Sequence, residues 1–196
     1  LPPTRGSIML NGEDITGLAP AEVARRGLIR SFQISAVFPH LSVLDNVRIA
    51  LQRQRGASFD FWRSSKVLKV YEERARELLE DVGLTGYADE LAVSLPYGRK
   101  RALELATTLA LDPELMLLDE PMAGMAHEDI GRVAELIRRV AKGRTVLMVE
   151  HNLEVVASLS DTITVLTRGQ VLTEGDYKTV SANPDVQHAY MGVGHG

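Results

Sequence analysis

The hydrophobic positions of this chain switch between two periods. From Leu115 to Leu118 and from Thr145 to Val149 they run almost unbroken, the pattern of strands buried in a parallel sheet. Elsewhere apolar residues recur every three or four positions, the pattern of a helix with one buried face. Ile130, Val133, Ile137 and Val140 mark a helix over about Glu128 to Lys142, and Val67, Tyr71, Ala75, Leu78, Leu79 and Val82 mark another. Ser42 with Asp45 three residues on predicts the cap of a helix through Gln52. Pro20 opens a short helix that Gly27 ends, and Gly98 opens one reaching about Leu111, before Pro113. Strands are expected from Ser7 to Leu10, running into an Asn11-Gly12 turn, from Leu28 to Phe32, and from Thr162 to Leu166. A Gly169-Gln170 turn then leads to a strand from Val171. Gly56 to Trp62 reads as a loop with exposed aromatics, and short helices are expected from Asn152 and from Asn183.

Strands alternating with helices imply an α/β fold with a mostly parallel sheet, into which a helical block is inserted. The expected layout is one domain over 1–196, with a core from 1–40 and 112–196 and a helical subdomain over 41–111. A length of 196 residues suits one domain with an insertion. The net charge of −4 shows no general attraction to nucleic acid, although arginines gather between Arg25 and Arg76. With no cysteine, disulfides, thiolate catalysis and zinc–thiolate sites are excluded. No window nears the ~18 apolar residues that span a bilayer and no signal-peptide pattern is visible, so a cytoplasmic chain is expected.

The chemistry sits where strands end. β-Strand Leu115–Leu118 runs straight into Asp119-Glu120, and Thr145–Val149 into Glu150-His151. Adjacent acids point opposite ways, so one can ligate Mg²⁺ while the other polarises a water, an arrangement suited to phosphoryl chemistry. Acids also follow strands merely as caps of the next helix, and a lone Gln33 or His151 has an equally plain structural reading. Ligands of open α/β sheets bind beyond the carboxyl ends of the strands, and there Gln33, Leu95-Pro96-Tyr97-Gly98-Arg99, Asp119-Glu120 and His151 are expected.

In this order and spacing the segments resemble the ATPase subunit of ATP-binding cassette (ABC) transporters, a P-loop NTPase with a RecA-like core. Gln33 falls at that family's Q-loop, Leu115 to Asp119 at its Walker B strand, and Glu120 at its catalytic glutamate. Met122-Ala123-Gly124-Met125 falls at the D-loop, His151 at the switch histidine, and Leu95 to Arg99 at the signature motif. The branched-chain amino-acid importer subgroup is most similar, through Arg30-Ser31-Phe32-Gln33, Phe38-Pro39-His40-Leu41-Ser42-Val43, and Asn183-Pro184-Asp185-Val186 with Ala189-Tyr190-Met191-Gly192.

The resemblance implies an ATPase that uses ATP and Mg²⁺. Asp119 and Gln33 would serve the metal, Glu120 would orient the attacking water, and His151 would donate to the γ-phosphate. Leu95, Pro96, Tyr97, Gly98, Arg99 and Gly124 would meet nucleotide, the signature helix pointing its N-terminus at the partner subunit's ATP. Implied partners are membrane permease subunits, a second cassette subunit in a homo- or heterodimer and, indirectly, an external substrate-binding protein, with no nucleic acid. The region from Phe38 to Trp62 would dock the permease, holding the protein peripherally on the inner face of the plasma membrane.

The sequence also departs from the family's pattern. No lysine follows a glycine, so G-x-x-x-x-G-K-[ST] is absent, and the family places it just upstream of a segment like Leu1-Pro2-Pro3-Thr4. The expectation is a chain truncated before that loop, binding ATP poorly and folding marginally. Pro96 stands where a serine is usual, costing a phosphate hydrogen bond worth ~1.5–3 kcal/mol. Arg99 replaces a glutamine, and Ala126 replaces an acid of the D-loop. Two other readings stay open: a soluble cassette ATPase acting on nucleic acid or the ribosome, and a non-catalytic cassette serving as an interaction module.

Overall fold

The computed structural model describes residues 3–31, 37–54, 71–125 and 127–190. They divide into two compact units, Leu1–Val149 and Glu150–Gly196. The first unit holds a three-stranded parallel sheet in the order β3 (Leu28–Ser31), β4 (Leu115–Asp119), β5 (Thr145–Val149). Its register pairs Ser31 with Leu118 and Asp119 with Val149, so the carboxyl ends of the three strands lie along one edge. Alternation then sorts β4 into two faces. Met116 and Leu118 are fully buried, whereas Leu117 and Asp119 share their face with Leu147 and Val149, which are 58% and 59% exposed. The unbroken apolar runs read as covered on both faces. Among the described residues only one face is.

Ahead of the sheet, β1 (Met9–Leu10) and β2 (Glu13–Asp14) form a small hairpin. Asn11 and Gly12, at φ 50° and 84°, make the left-handed two-residue turn that the Asn-Gly pair predicts. The return strand Glu13–Asp14 went unread because it carries no apolar residue. α1 (Pro20–Arg25) begins at its proline as expected.

Three helices form a layer: α2 (Val43–Gln54), α3 (Glu72–Asp81) and α4 (Tyr97–Leu109). The Ser42 hydroxyl accepts from the Asp45 N–H at 3.0 Å, the cap read from the sequence. Val43 and Val47 of α2, Ala75, Leu78 and Leu79 of α3, and Leu103, Leu105 and Ala106 of α4 are all buried. Each large side chain there contributes about 1.5–3 kcal/mol of transfer free energy. Buried Asn46 ties the preceding loop to α2, accepting from the Phe38 N–H at 2.6 Å and donating to the carbonyls of Phe38 and Ser42. Short 3₁₀ turns at Thr85–Tyr87 and Ala92–Ser94, not foreseen from the sequence, bring the chain back to α4. α4 starts at Tyr97 with Pro96 as its cap residue, one position before the expected Gly98. α5 (His127–Val140) buries Val133, Ile137 and Val140 as its periodicity requires, while Ile130, expected with them, is half-buried. Val67 and the expected loop from Gly56 to Trp62 lie outside the described residues.

In the second unit α6 (Leu153–Leu159) is capped by Asn152, whose side-chain oxygen accepts from the N–H groups of Glu154 and Val155. β6 (Ile163–Thr167) and β7 (Gln170–Gly175) pair antiparallel. Their turn is Arg168-Gly169, not Gly169-Gln170. Both residues are left-handed, at φ 49° and 78°, so Gln170 belongs to the strand. α7 (Tyr177–Ser181) and α8 (Pro184–Tyr190) follow, with Val155, Val180 and Val186 buried among the unit's described residues. No helix among the described residues is long and apolar enough to cross a membrane.

Candidate functional site

β4 delivers the two acids. Asp119 is its last residue, and its carboxylate accepts from Nη2 of Arg30 on β3 at 2.7 Å. Since Arg30 pairs with Leu117, it lies on the same face as Asp119 and reaches one step diagonally along the sheet. Sequence reasoning gave Arg30 no role in the site. The available signal was a charged residue directly after the apolar pair Leu28-Ile29 in the strand.

Glu120 leaves the strand in a left-handed conformation, φ 46°, which is uncommon for an L side chain and which its surroundings hold in place. Two backbone hydrogen bonds do so. The Glu120 N–H donates to the Val149 carbonyl at the end of β5 at 2.9 Å, and the Glu120 carbonyl accepts from the Ala123 N–H at 3.0 Å. Pro121 and Met122 are buried beneath that turn while Glu120 is exposed. The conformation turns Glu120 off the line of the strand, and the residue is exposed.

The segment Leu95 to Arg99 forms the start of α4. Leu95 is buried and anchors it, while Pro96 and Tyr97 are exposed. Arg99 stacks on Tyr87, its guanidinium carbon 4.1 Å from the ring centroid. A Cβ on Gly98 would come within 3.3 Å of the Asp129 carboxyl carbon, so a larger residue there must push that side chain aside. α4's first turn contains no acid and no capping side chain, while Arg99, Lys100 and Arg101 crowd its positive end. The Asp129 carboxylate beside Gly98 faces this end, where negative charge is favoured. A groove of about 720 Å³ runs beside it, lined by Pro96, Gly98, Arg99, Asp129 and Arg132 among others.

Tyr97 faces the turn after Glu120: its hydroxyl donates to the Ala123 carbonyl at 2.9 Å. Gly124 of the same turn is left-handed at φ 74°. Arg101 donates to the Tyr97 hydroxyl at 2.8 Å and to Glu104 at 2.7 Å. Burial opposes the charge of Arg101, but its bonds to Glu104 and Tyr97 outweigh that and raise its pKa above the ordinary arginine value.

The structure thus brings Asp119, Glu120, Gly124 and the Leu95–Arg99 segment into one unit. Gln33 and Ala126 lie outside the described residues. His151 belongs to the second unit, where its side chain is 74% exposed and its backbone N–H donates to the Glu150 carboxylate. Among the described residues no three His, Asp or Glu side chains converge as a metal cage. Mg²⁺ in nucleotide sites is held by one or two carboxylates plus phosphate oxygens and waters, and the Asp119 carboxylate would supply one hard oxygen of that kind.

A model of the ABC transporter family matches residues 1–123. The high-affinity branched-chain amino acid transport ATP-binding protein BraF of Pseudomonas aeruginosa is 35% identical over 97% of this chain and 77% of its own. LivG of Escherichia coli, of the same description, is 33% identical over the same shares. Among solved structures, the ADP conformation of MJ1267, an ATP-binding cassette of an ABC transporter, matches 98% of this chain and 79% of its own at TM-score 0.80 and 26% identity. A nucleotide-free cassette matches at TM-score 0.77 and 25% identity, covering 100% of this chain and 79% of its own. With the parallel sheet, the paired acids at its edge and these likenesses together, the chain belongs to the ABC transporter family and has the ABC ATPase cassette fold.

Proposed function

We propose that this protein hydrolyses ATP to power an ABC importer of branched-chain amino acids. The observation that carries the reading is the turn at Glu120, exposed and left-handed at the carboxyl edge of a parallel sheet, directly after Asp119. It is supported by relatives described as branched-chain amino acid transport ATP-binding proteins.

In this reading Glu120 orients the attacking water and draws off its proton, a task worth about 10²–10⁴ in rate. His151 donates a hydrogen bond to the γ-phosphate. Asp119 and Gln33 would hold Mg²⁺, which when bound supplies positive charge against the transferred phosphoryl group. Leu95, Pro96, Tyr97, Gly98 and Arg99 present the positive end of α4 to the ATP of a second cassette subunit, and Gly124 lets the following turn pass close to it. The basic residues of that helix start, Arg99 and Lys100, support an anionic ligand there, although the Asp129 carboxylate lies beside Gly98.

The helical block over 41–111 and its approach carry the permease contact. Phe38, Leu91 and Val93 are 50%, 46% and 48% exposed, and the backbone brings them together, the Val93 N–H donating to the Pro39 carbonyl. An apolar patch of this kind suits a docking helix of a membrane subunit. The protein would then sit peripherally on the inner face of the plasma membrane, with an external binding protein supplying cargo.

The test is uptake of labelled leucine, isoleucine and valine by cells carrying the full-length gene product, its permease and its binding protein. ATP-dependent uptake that is lost on Glu120→Gln and weakened by Phe38→Ala is expected. Unaffected uptake in both variants overturns the reading.

A further inference from the structure

We propose that Tyr97 is a positioning residue for Glu120, coupling the start of α4 to the turn that presents the water-orienting acid. The inference rests on the reading of Glu120 given above and deepens it. The coupling is a continuous chain of hydrogen bonds. The Glu120 carbonyl accepts from the Ala123 N–H at 3.0 Å, and the Ala123 carbonyl accepts from the Tyr97 hydroxyl at 2.9 Å. That hydroxyl in turn accepts from Arg101 at 2.8 Å.

The direction of every bond is fixed by chemistry. A guanidinium has no acceptor and a carbonyl no proton, so the single hydroxyl proton of Tyr97 must point at Ala123. A cationic donor on the phenolic oxygen polarises the O–H bond and strengthens its donation to Ala123. Arg101 is a firm anchor for this, since its partner Glu104 is on the same helix and the two side chains are only 13% and 8% exposed. Its guanidinium also lies 5.2 Å from the centroid of the Tyr97 ring. Gly124 lies beside this bond: a Cβ there would stand in ordinary contact, 3.7 Å from the hydroxyl.

The left-handed backbone of Glu120 requires such support. A turn that relaxed toward a right-handed conformation would swing the carboxylate away from the water it must hold. Tyr97 is also the first residue of the helix whose positive end is proposed to meet phosphate. Movement of that end on nucleotide binding is therefore passed through one hydroxyl to the protein's own Glu120 turn.

Tyr97→Phe removes that hydroxyl and keeps the ring. Two measurements on the full-length protein follow. Amide hydrogen exchange over residues 120–125 should quicken about fivefold, the factor one ordinary hydrogen bond supports, while α4 beyond its first turn stays unchanged. In ATP hydrolysis kcat should fall about three- to tenfold with KM within about twofold, and the effect should vanish in a Glu120→Gln background. Unchanged exchange overturns the proposal. So does faster exchange with unaltered kcat, or a loss that multiplies with that of Glu120→Gln. The exchange experiment needs no nucleotide, so a protein that failed to hydrolyse ATP would sink the functional reading and leave this coupling separately decided.

Discussion

Arg30 and Asp119, 89 positions apart in sequence, meet at 2.7 Å across neighbouring parallel strands. The guanidinium neutralises the acid that the family resemblance marks for the metal. Asp119 is 25% and Arg30 53% exposed, so water screens the pair and it is worth only about 0.2–1 kcal/mol. Arg30→Met should lower unfolding free energy by that amount in urea titrations. The loss should largely disappear in an Asp119→Asn background, and additive losses would show that the two side chains do not interact.

Two glycines of the site should respond differently to alanine. Gly124 sits at φ 74°, where an L side chain costs about 1–2 kcal/mol whatever room it has. Gly98 is the second residue of α4, where alanine gains at most the roughly 0.8–1 kcal/mol of helix propensity seen in helix interiors but must displace the Asp129 carboxyl by a few tenths of an ångström. Thermal denaturation should find Gly124→Ala clearly destabilised and Gly98→Ala near neutral. The reverse order would contradict the backbone geometry.

The second unit contains a pH-sensitive cap. The Thr179 hydroxyl and backbone N–H, donating to the Asp176 carboxylate, hold its pKa below the ordinary aspartate value. A depressed folded-state pKa stabilises above the unfolded value, and that stabilisation is lost as pH falls through the folded one. α7 should therefore fray selectively under acid, seen as loss of the helical chemical shifts of Tyr177–Ser181. In Asp176→Asn this acid-dependent step should be absent.

What the sequence made legible was local. Ser42 caps the helix it was expected to cap, and a helix begins at Asn152 as expected, because such a start needs only the next three residues. The acids at the end of β4 were legible for the same reason: an apolar run stopped by Asp119-Glu120 is visible without knowing what lies beside it. The strand Glu13–Asp14 was not, since its pairing comes from the Asn11-Gly12 turn and not from any apolar pattern. The turn at Arg168-Gly169 was misplaced by one residue because glycine marks a left-handed position without saying which neighbour shares it. The partners of Asp119 and Ala123 depend on strand register and helix packing, so Arg30 and the Tyr97 hydroxyl emerge only in three dimensions.

The central claim is that Glu120 is the water-orienting acid of an ATP-hydrolysing cassette. It is tested most directly by steady-state phosphate release from the full-length gene product and its Glu120→Gln variant, with nucleotide binding measured alongside. A fall of about 10²–10⁴ in kcat with ATP still bound is the predicted result. Hydrolysis at the unaltered rate in Glu120→Gln would contradict it.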